Sequence, residues 1–271
     1  MTKKTSILLL LVAFCLGLGA WKYIHRPEPL ENPPVILGHG GMGIRSTLPL
    51  NSLESIQEAL SYPIQGTEID VSMTADGVLV AFHGEDLASS SNCIGLVSQT
   101  NFSEIGKCQN STWLKSAKIQ TLEGVLSHDW PVNTTFSLDV KETQEPDSNR
   151  SNMLIQRLSD LTLEHPQFNF LIESMEMPFL IKLKATGAKA EFFYYAHHLE
   201  TEAAKVSDAG LDGVSINIEL TSAEELESVR ELNLKVMLWG AGSVFANREA
   251  LKMKADIIQT DDIGSMVKLL N

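Results

Sequence analysis

Apolar and β-branched residues fall in short runs along most of the chain, with helix-period windows between them. Val35–His39 reads as a short strand. In Leu50–Ser61, Leu53, Ile56 and Leu60 recur at the spacing of one helix face. Thr67–Met73 alternates as a strand. A second run, Val78–His83, follows the turn Ala75-Asp76-Gly77, so these two are predicted to pair as a hairpin. Further strands are predicted at Thr135–Lys141, Phe168–Ser174, Ala190–Ala196, Gly213–Ile218, Lys235–Gly240 and Asp256–Thr260. Amphipathic windows such as Met153–Leu163 and Ala223–Leu232 separate them.

Without the Val78–His83 arm, about eight strands alternate with helices, which predicts a parallel sheet closed into a (β/α)8 TIM barrel. The hairpin arm then follows the second barrel strand. The competing arrangement is an open doubly wound sheet. No Gly-x-Gly-x-x-Gly follows the first strand, so a dinucleotide-binding version has no support.

The N-terminus departs from this rhythm. Lys3 and Lys4 precede an apolar run from Ile7 to Ala20. Residues 1–20 read as a signal peptide or, uncleaved, an N-terminal membrane anchor; lipid modification at Cys15 is a third route. Residues 21–34, with Pro27, Pro29, Pro33 and Pro34, read as a linker, and 35–271 as the barrel domain. The expectation is an exported protein that is periplasmic, extracellular or attached to a membrane and facing outward. In such an oxidising compartment Cys93 and Cys108 are expected to pair, the alternative being two free thiols.

Composition narrows the function. The chain has 271 residues, 44% of them hydrophobic, enough for one large core. Its formal net charge of −13 argues against nucleic-acid binding, which needs a clustered basic face. A small phosphate-bearing substrate stays compatible, because a bound cation reverses the local field.

Candidate chemistry gathers at predicted strand C-terminal ends, the face where barrel enzymes build their sites. Glu68 and Asp70 are two apart on one strand and share a face. Asp139, on the next barrel strand, can complete a carboxylate trio for calcium, magnesium or manganese. Lys141 shares the face of Asp139 and can neutralise charge or hold a phosphate oxygen. His39 and His83 flank the carboxylates, each followed by glycine. Phosphodiester cleavage needs a base for the nucleophile and an acid for the leaving oxygen, and imidazole suits both near neutral pH.

These residues also carry a resemblance. Gly38-His39-Gly40-Gly41, Pro49-Leu50-Asn51-Ser52, Glu68-Ile69-Asp70, the strand ending at His83, Asp139-Val140-Lys141, Trp239 and Ile258-Gln259-Thr260-Asp261 together resemble the glycerophosphodiester phosphodiesterase family. The resemblance implies that His39 and His83 are the catalytic pair, with His39 as base and His83 as acid. It implies that Glu68, Asp70 and Asp139 bind the cation, and that Lys141, Trp239, Gly40 and Glu173 face the substrate. The nucleophile is then water or, in glycerol diesters, the neighbouring substrate hydroxyl. Three positions depart from the family pattern: Gly40 replaces an arginine, Leu50 a glutamate and Gly84 an aspartate. Arg45 is a candidate substitute for the arginine. The chain is also similar to the spider-venom type phospholipases D, which carry a disulfide-braced loop after the second histidine. The expected substrate is therefore a small or lipid-derived phosphodiester, either a glycerophosphodiester or a lysophospholipid head group. The contrasting expectation is an inactive barrel serving as an exported binding or envelope protein.

Overall fold

The computed structural model describes residues 32–141 and 149–271. The leader and nearly all of the linker, residues 1–31, lie outside the described residues. The barrel domain occupies Pro34–Asn271.

Eleven strands run in chain order among the described residues: β1 (Val35–Gly38), β2 (Gly66–Met73), β3 (Leu79–Ala81), β4 (Gln109–Ser111), β5 (Ser116–Lys118), β6 (Thr135–Val140), β7 (Asn169–Ser174), β8 (Glu191–Tyr195), β9 (Gly213–Asn217), β10 (Lys235–Ala241) and β11 (Ile257–Thr260). Eight of them, β1, β2 and β6 to β11, are parallel neighbours in a ring. Pairing of β1 with both β11 and β2 closes it. The expected TIM barrel is therefore present, and the expected arm is β3, antiparallel to β2 through Val71 and Ala81.

The helices are α1 (Leu53–Leu60), α2 (Phe102–Ile105), α3 (Leu122–Leu126), α4 (Asn149–Glu164), α5 (Met177–Ala185), α6 (Leu199–Asp208), α7 (Ala223–Glu231), α8 (Val244–Lys252) and α9 (Ile263–Leu270). No described helix is long and apolar enough to cross a membrane.

Strand periodicity sorts the core into two layers. Ile36, Ile69, Val71, Phe136, Leu138, Ile172, Phe192, Val214, Val236 and Ile258 pack against helical residues such as Ile56, Leu158 and Leu180. The intervening positions Leu37, Leu171, Phe193, Met237 and Ile257 form a separate cluster, the barrel interior. The same alternation turns Glu68, Asp70 and Asp139 inward, because their neighbours Ile69, Val71, Leu138 and Val140 all belong to the outer layer.

Between β3 and α3 the chain makes an excursion with its own small core of Val80, Phe82, Leu87, Val97, Ile105, Cys108 and Ile119. Cys93 and Cys108 are joined in a disulfide there, with Cα atoms 5.7 Å apart. Closing a loop with a sequence separation of 15 contributes roughly 3 kcal/mol in the chain-entropy account. Reduction is expected to lower the thermal midpoint by about 6–12 °C, the shift such an energy makes in a domain of this size. Circular-dichroism melts with and without reductant check this, and an unmoved midpoint would show that the bond braces nothing.

Candidate active site

Barrel closure places the first histidine. Gly38 of β1 pairs with Thr260 of β11, so the residues that follow, His39 and Asp261, leave the sheet side by side. His39 Nδ1 lies 2.7 Å from Asp261 Oδ1. The Ile44 amide donates to the same oxygen at 2.9 Å, pinning the loop after β1. The other imidazole nitrogen, Nε2, is 4.0 Å from Glu68 Oε2. Burial opposes the imidazolium, but the Asp261 hydrogen bond and the charges of Glu68, Asp261 and Asp70 outweigh it, and the His39 pKa is pushed up to about 10. For Asp261, burial pulls the other way, yet the bond to His39 holds its carboxyl below the usual value.

The carboxylates come together through sheet register. Asp70 of β2 pairs with Asp139 of β6, which pairs with Glu173 of β7. Oxygen atoms of Glu68, Asp70 and Asp139 lie within 4.8 Å of one another. Asn51 fixes Asp70 twice: its side-chain amide donates to Asp70 Oδ2 at 2.8 Å, and its oxygen accepts from the Asp70 amide at 2.9 Å. Lys141 bridges Asp70 Oδ1 at 3.1 Å and Asp139 Oδ2. The Gly40 amide donates to Glu68 Oε2 at 2.7 Å, while Glu68 Oε1 is buried with no hydrogen-bond partner among the described residues. Burial and the neighbouring Asp70 charge push the Glu68 pKa well up. Asp139 is also raised, by burial first, with Lys141 opposing and Asp70 adding to it. Asp139 and Asp70 in turn hold the Lys141 ammonium more firmly protonated, against its own burial.

Convergent buried carboxylates repel unless a cation lies among them. The donor set is oxygen only, and one buried oxygen is unpaired, so these residues fit a hard divalent cation.

His83 stands exposed at the end of the β3 arm, which is anchored by the Phe82 amide donating to Asp70 O at 3.0 Å. It is near enough to Asp139 for the two charges to interact.

Two of the residues expected to face the substrate make contacts within the protein. Glu173 is 2% exposed and accepts from Ser137 and Ser215, each at 2.6 Å, and from Gln259 at 2.5 Å. It is a buttress inside the barrel, and burial pushes its pKa up to about 7. Gly40 (φ 52°) turns its amide onto Glu68, and a Cβ there would meet Leu50 Cδ2 at 2.8 Å. Two departures from the family pattern thus fit one another: Leu50 fills the space that a side chain at position 40 would need. At Gly41 a Cβ would meet the α1 backbone at 2.6 Å, so only glycine lets the loop lie on the helix start.

Trp239 is half-buried, with its indole N–H unpartnered among the described residues and its ring 5.3 Å from that of Tyr195. Arg45, exposed on the loop after β1, is near enough to Asp261 to help lower its pKa.

Sequence reasoning gave no role to Asp261 or Asn51. A signal existed for Asp261: in a closed barrel, the residue after the last strand must neighbour the residue after the first. Asn51, just ahead of the helix cap Ser52, stood in one of the blocks that carry the resemblance, but no role was attached to it.

The profile of the glycerophosphoryl diester phosphodiesterase family matches residues 42–265. A glycerophosphodiester phosphodiesterase of Bacillus subtilis is 27% identical over 135 residues, 43% of this chain and 46% of that protein. One of Arabidopsis thaliana is 34% identical over 105 residues, 36% of this chain and 31% of its own length. The chain thus spans less than half the length of either relative. Among solved structures, an Oleispira antarctica phosphodiesterase in complex with the product sn-glycerol-3-phosphate superposes with a TM-score of 0.76 at 17% identity, covering 88% of this chain and 96% of that one. A Thermotoga maritima glycerophosphodiester phosphodiesterase gives 0.70 at 19% identity, covering 89% and 100%. At these identities the likeness establishes the shared barrel.

Proposed function

Since the chain belongs to the glycerophosphoryl diester phosphodiesterase family, we propose that it hydrolyses a glycerophosphodiester or a related lysophospholipid head-group diester, with a divalent cation and two histidines. The observation that carries this reading is the trio Glu68, Asp70 and Asp139 beside an Asp261-held histidine. A barrel without catalysis has no use for three inward carboxylates that repel one another. The solved relative holding sn-glycerol-3-phosphate supports a small phosphate-bearing substrate.

Glu68, Asp70 and Asp139 would hold calcium, magnesium or manganese, which supplies Lewis-acid polarisation of the phosphoryl oxygen. Lys141, and Arg45 at the loop, offer positive charge to the phosphate, and Trp239 presents an aromatic wall. His39, oriented by Asp261, removes the proton from the attacking hydroxyl. His83 gives a proton to the leaving oxygen as the phosphorus–oxygen bond to the head group breaks. His39 owes its raised pKa to the Asp261 hydrogen bond first and to the charges of Glu68 and Asp70 after it; a cation held by those two would weaken their part.

The protein acts outside the cytoplasm in this proposal, either cleaved after the leader or anchored by it. Lys3 and Lys4 ahead of the apolar run Ile7–Ala20 support export, and the Cys93–Cys108 bond suits an oxidising compartment.

The test is to strip the full chain with chelator, restore calcium, magnesium or manganese in turn, and follow head-group alcohol released from glycerophosphocholine and lysophosphatidylcholine. Release from either diester is expected to return with at least one cation. Silence with all three sinks the proposal.

A further inference from the structure

Exposed apolar side chains gather at the mouth of the barrel, where the strands end. Ile44 (62% exposed) is on the loop after β1. Trp113 (86%) and Leu114 are on the turn between β4 and β5. Val244 and Phe245 (71%) open α8, just after β10. These three segments are tied together in series. Thr112 Oγ1 donates to Thr47 O at 2.7 Å, which joins the β4–β5 hairpin to the loop after β1. The Ile44 amide donates to Asp261 Oδ1 at 2.9 Å, and the Asp261 amide donates to Ala241 O at 3.2 Å. The loop after β1 is thereby joined to the chain leading into α8, and the three form one rim.

The rim also differs from the rest of the chain in charge. The whole sequence carries a formal −13. Residues 42–50, 109–118 and 242–248 hold Arg45, Lys115, Lys118 and Arg248, all exposed, and no aspartate or glutamate. Glu249, one residue beyond, is paired with Lys252. Asp261, which the rim encloses, is buried and held by His39. In physiological salt a charge acts over roughly 8 Å, so a surface laid on the rim meets these cations and not the net charge.

The occupant follows from these features. Tips on three separate segments suit a broad surface and not an enclosed ligand. Ile44, Leu114 and Val244 are aliphatic and offer a nucleic-acid base nothing to stack on. A second copy meeting the rim face to face would set like charges against one another. A bilayer suits every part. Tryptophan and aliphatic side chains settle at the boundary between head groups and acyl chains, and lysine or arginine beside them meets anionic lipid. In the export proposed above, the run Ile7–Ala20 takes the chain to a bilayer.

We propose that this rim docks the barrel mouth on a membrane containing anionic lipid, with Trp113, Leu114 and Phe245 below the head groups and Lys115 and Arg248 upon them. Docking needs no turnover, so it stands or falls apart from the hydrolase reading.

The experiment adds the full chain to vesicles of phosphatidylcholine mixed with phosphatidylglycerol, and to vesicles of phosphatidylcholine alone. Amide hydrogen exchange, followed by mass spectrometry on the vesicle-bound protein, reads the rim separately from any hold the leader has on lipid. On the mixed vesicles the amides of residues 42–48, 111–116 and 243–247 are expected to exchange about tenfold more slowly than in the free protein. The amides around Val132, exposed at the opposite end of the barrel before β6, are expected to be unchanged. Trp113→Ser with Phe245→Ser, and separately Lys115→Glu with Arg248→Glu, are expected to keep the parent melting temperature and lose that protection. Unprotected rim amides in vesicle-bound protein, no association with either vesicle, or equal protection in the parent and both double variants overturns the docking. Protection as strong on phosphatidylcholine alone overturns the part given to anionic lipid. A lipid-free dimer that Trp113→Ser with Phe245→Ser dissolves, seen by sedimentation equilibrium, gives the rim to a second copy and also overturns it.

Discussion

His39→Ala is expected to lower kcat on the responsive diester by about 10²–10⁴-fold, the usual worth of a positioned proton-transfer group. The side chain is half-buried at a strand end, so its removal opens little of the core. Glu68, Asp70 and Asp139 stay in place, because Gly40 and Asn51 hold the first two independently of the imidazole. The variant should therefore keep the rise in melting temperature on adding the cation while losing turnover. His83→Ala should give a loss of similar size. The double variant should fall well short of the product of the two losses, since groups acting in one step are not additive. Stopped assays and cation-dependent melts on the three variants check this. Turnover within about tenfold of the parent in His39→Ala would remove that residue from the chemistry.

Glu68→Gln is expected to separate stability from function. In the cation-free protein, burial and the Asp70 charge make an ionised Glu68 unfavourable. Glutamine keeps an oxygen for the Gly40 amide and discards the charge. Without cation the melting temperature should rise by about 2–4 °C, the shift that ~1 kcal/mol makes in a domain of this size. The sign reverses on adding the cation. The parent then gains a ligand-linked increment that grows with the logarithm of cation concentration, and the variant has lost one ligating oxygen. Activity should drop to near background. Differential scanning calorimetry across a cation titration measures both arms. A lower melting temperature for Glu68→Gln in chelator would show that the carboxylates do not strain the cation-free barrel.

The barrel was legible because its strands are apolar on both faces, and continuous runs such as Val236-Met237-Leu238 survive any registration of the helices. Helix α1 was misplaced at its start, since Leu50 continues the apolar spacing. In the structure Asn51 adopts φ 61° and Ser52 caps the helix, whose first residue is Leu53. The excursion after β3 gave no periodic signal. Its strands are three residues each, Gln109-Asn110-Ser111 and Ser116-Ala117-Lys118, and they rest on the disulfide and on the loop after β1. In the site, the carboxylates and histidines were readable from spacing along single strands. The roles of Asp261 and Glu173 were not, because both follow from which strand neighbours which. That is set by barrel closure and not by local pattern.

Closure has a further consequence. His39 lies near the beginning of the domain and its partner Asp261 directly after β11. A chain halted during synthesis before Asp261 can hold Glu68, Asp70 and Asp139 in sequence, but it lacks the carboxylate that orients the imidazole and the strand that completes the ring. The orienting bond from His39 to Asp261 thus exists only once β11 has joined β1 across the closed ring.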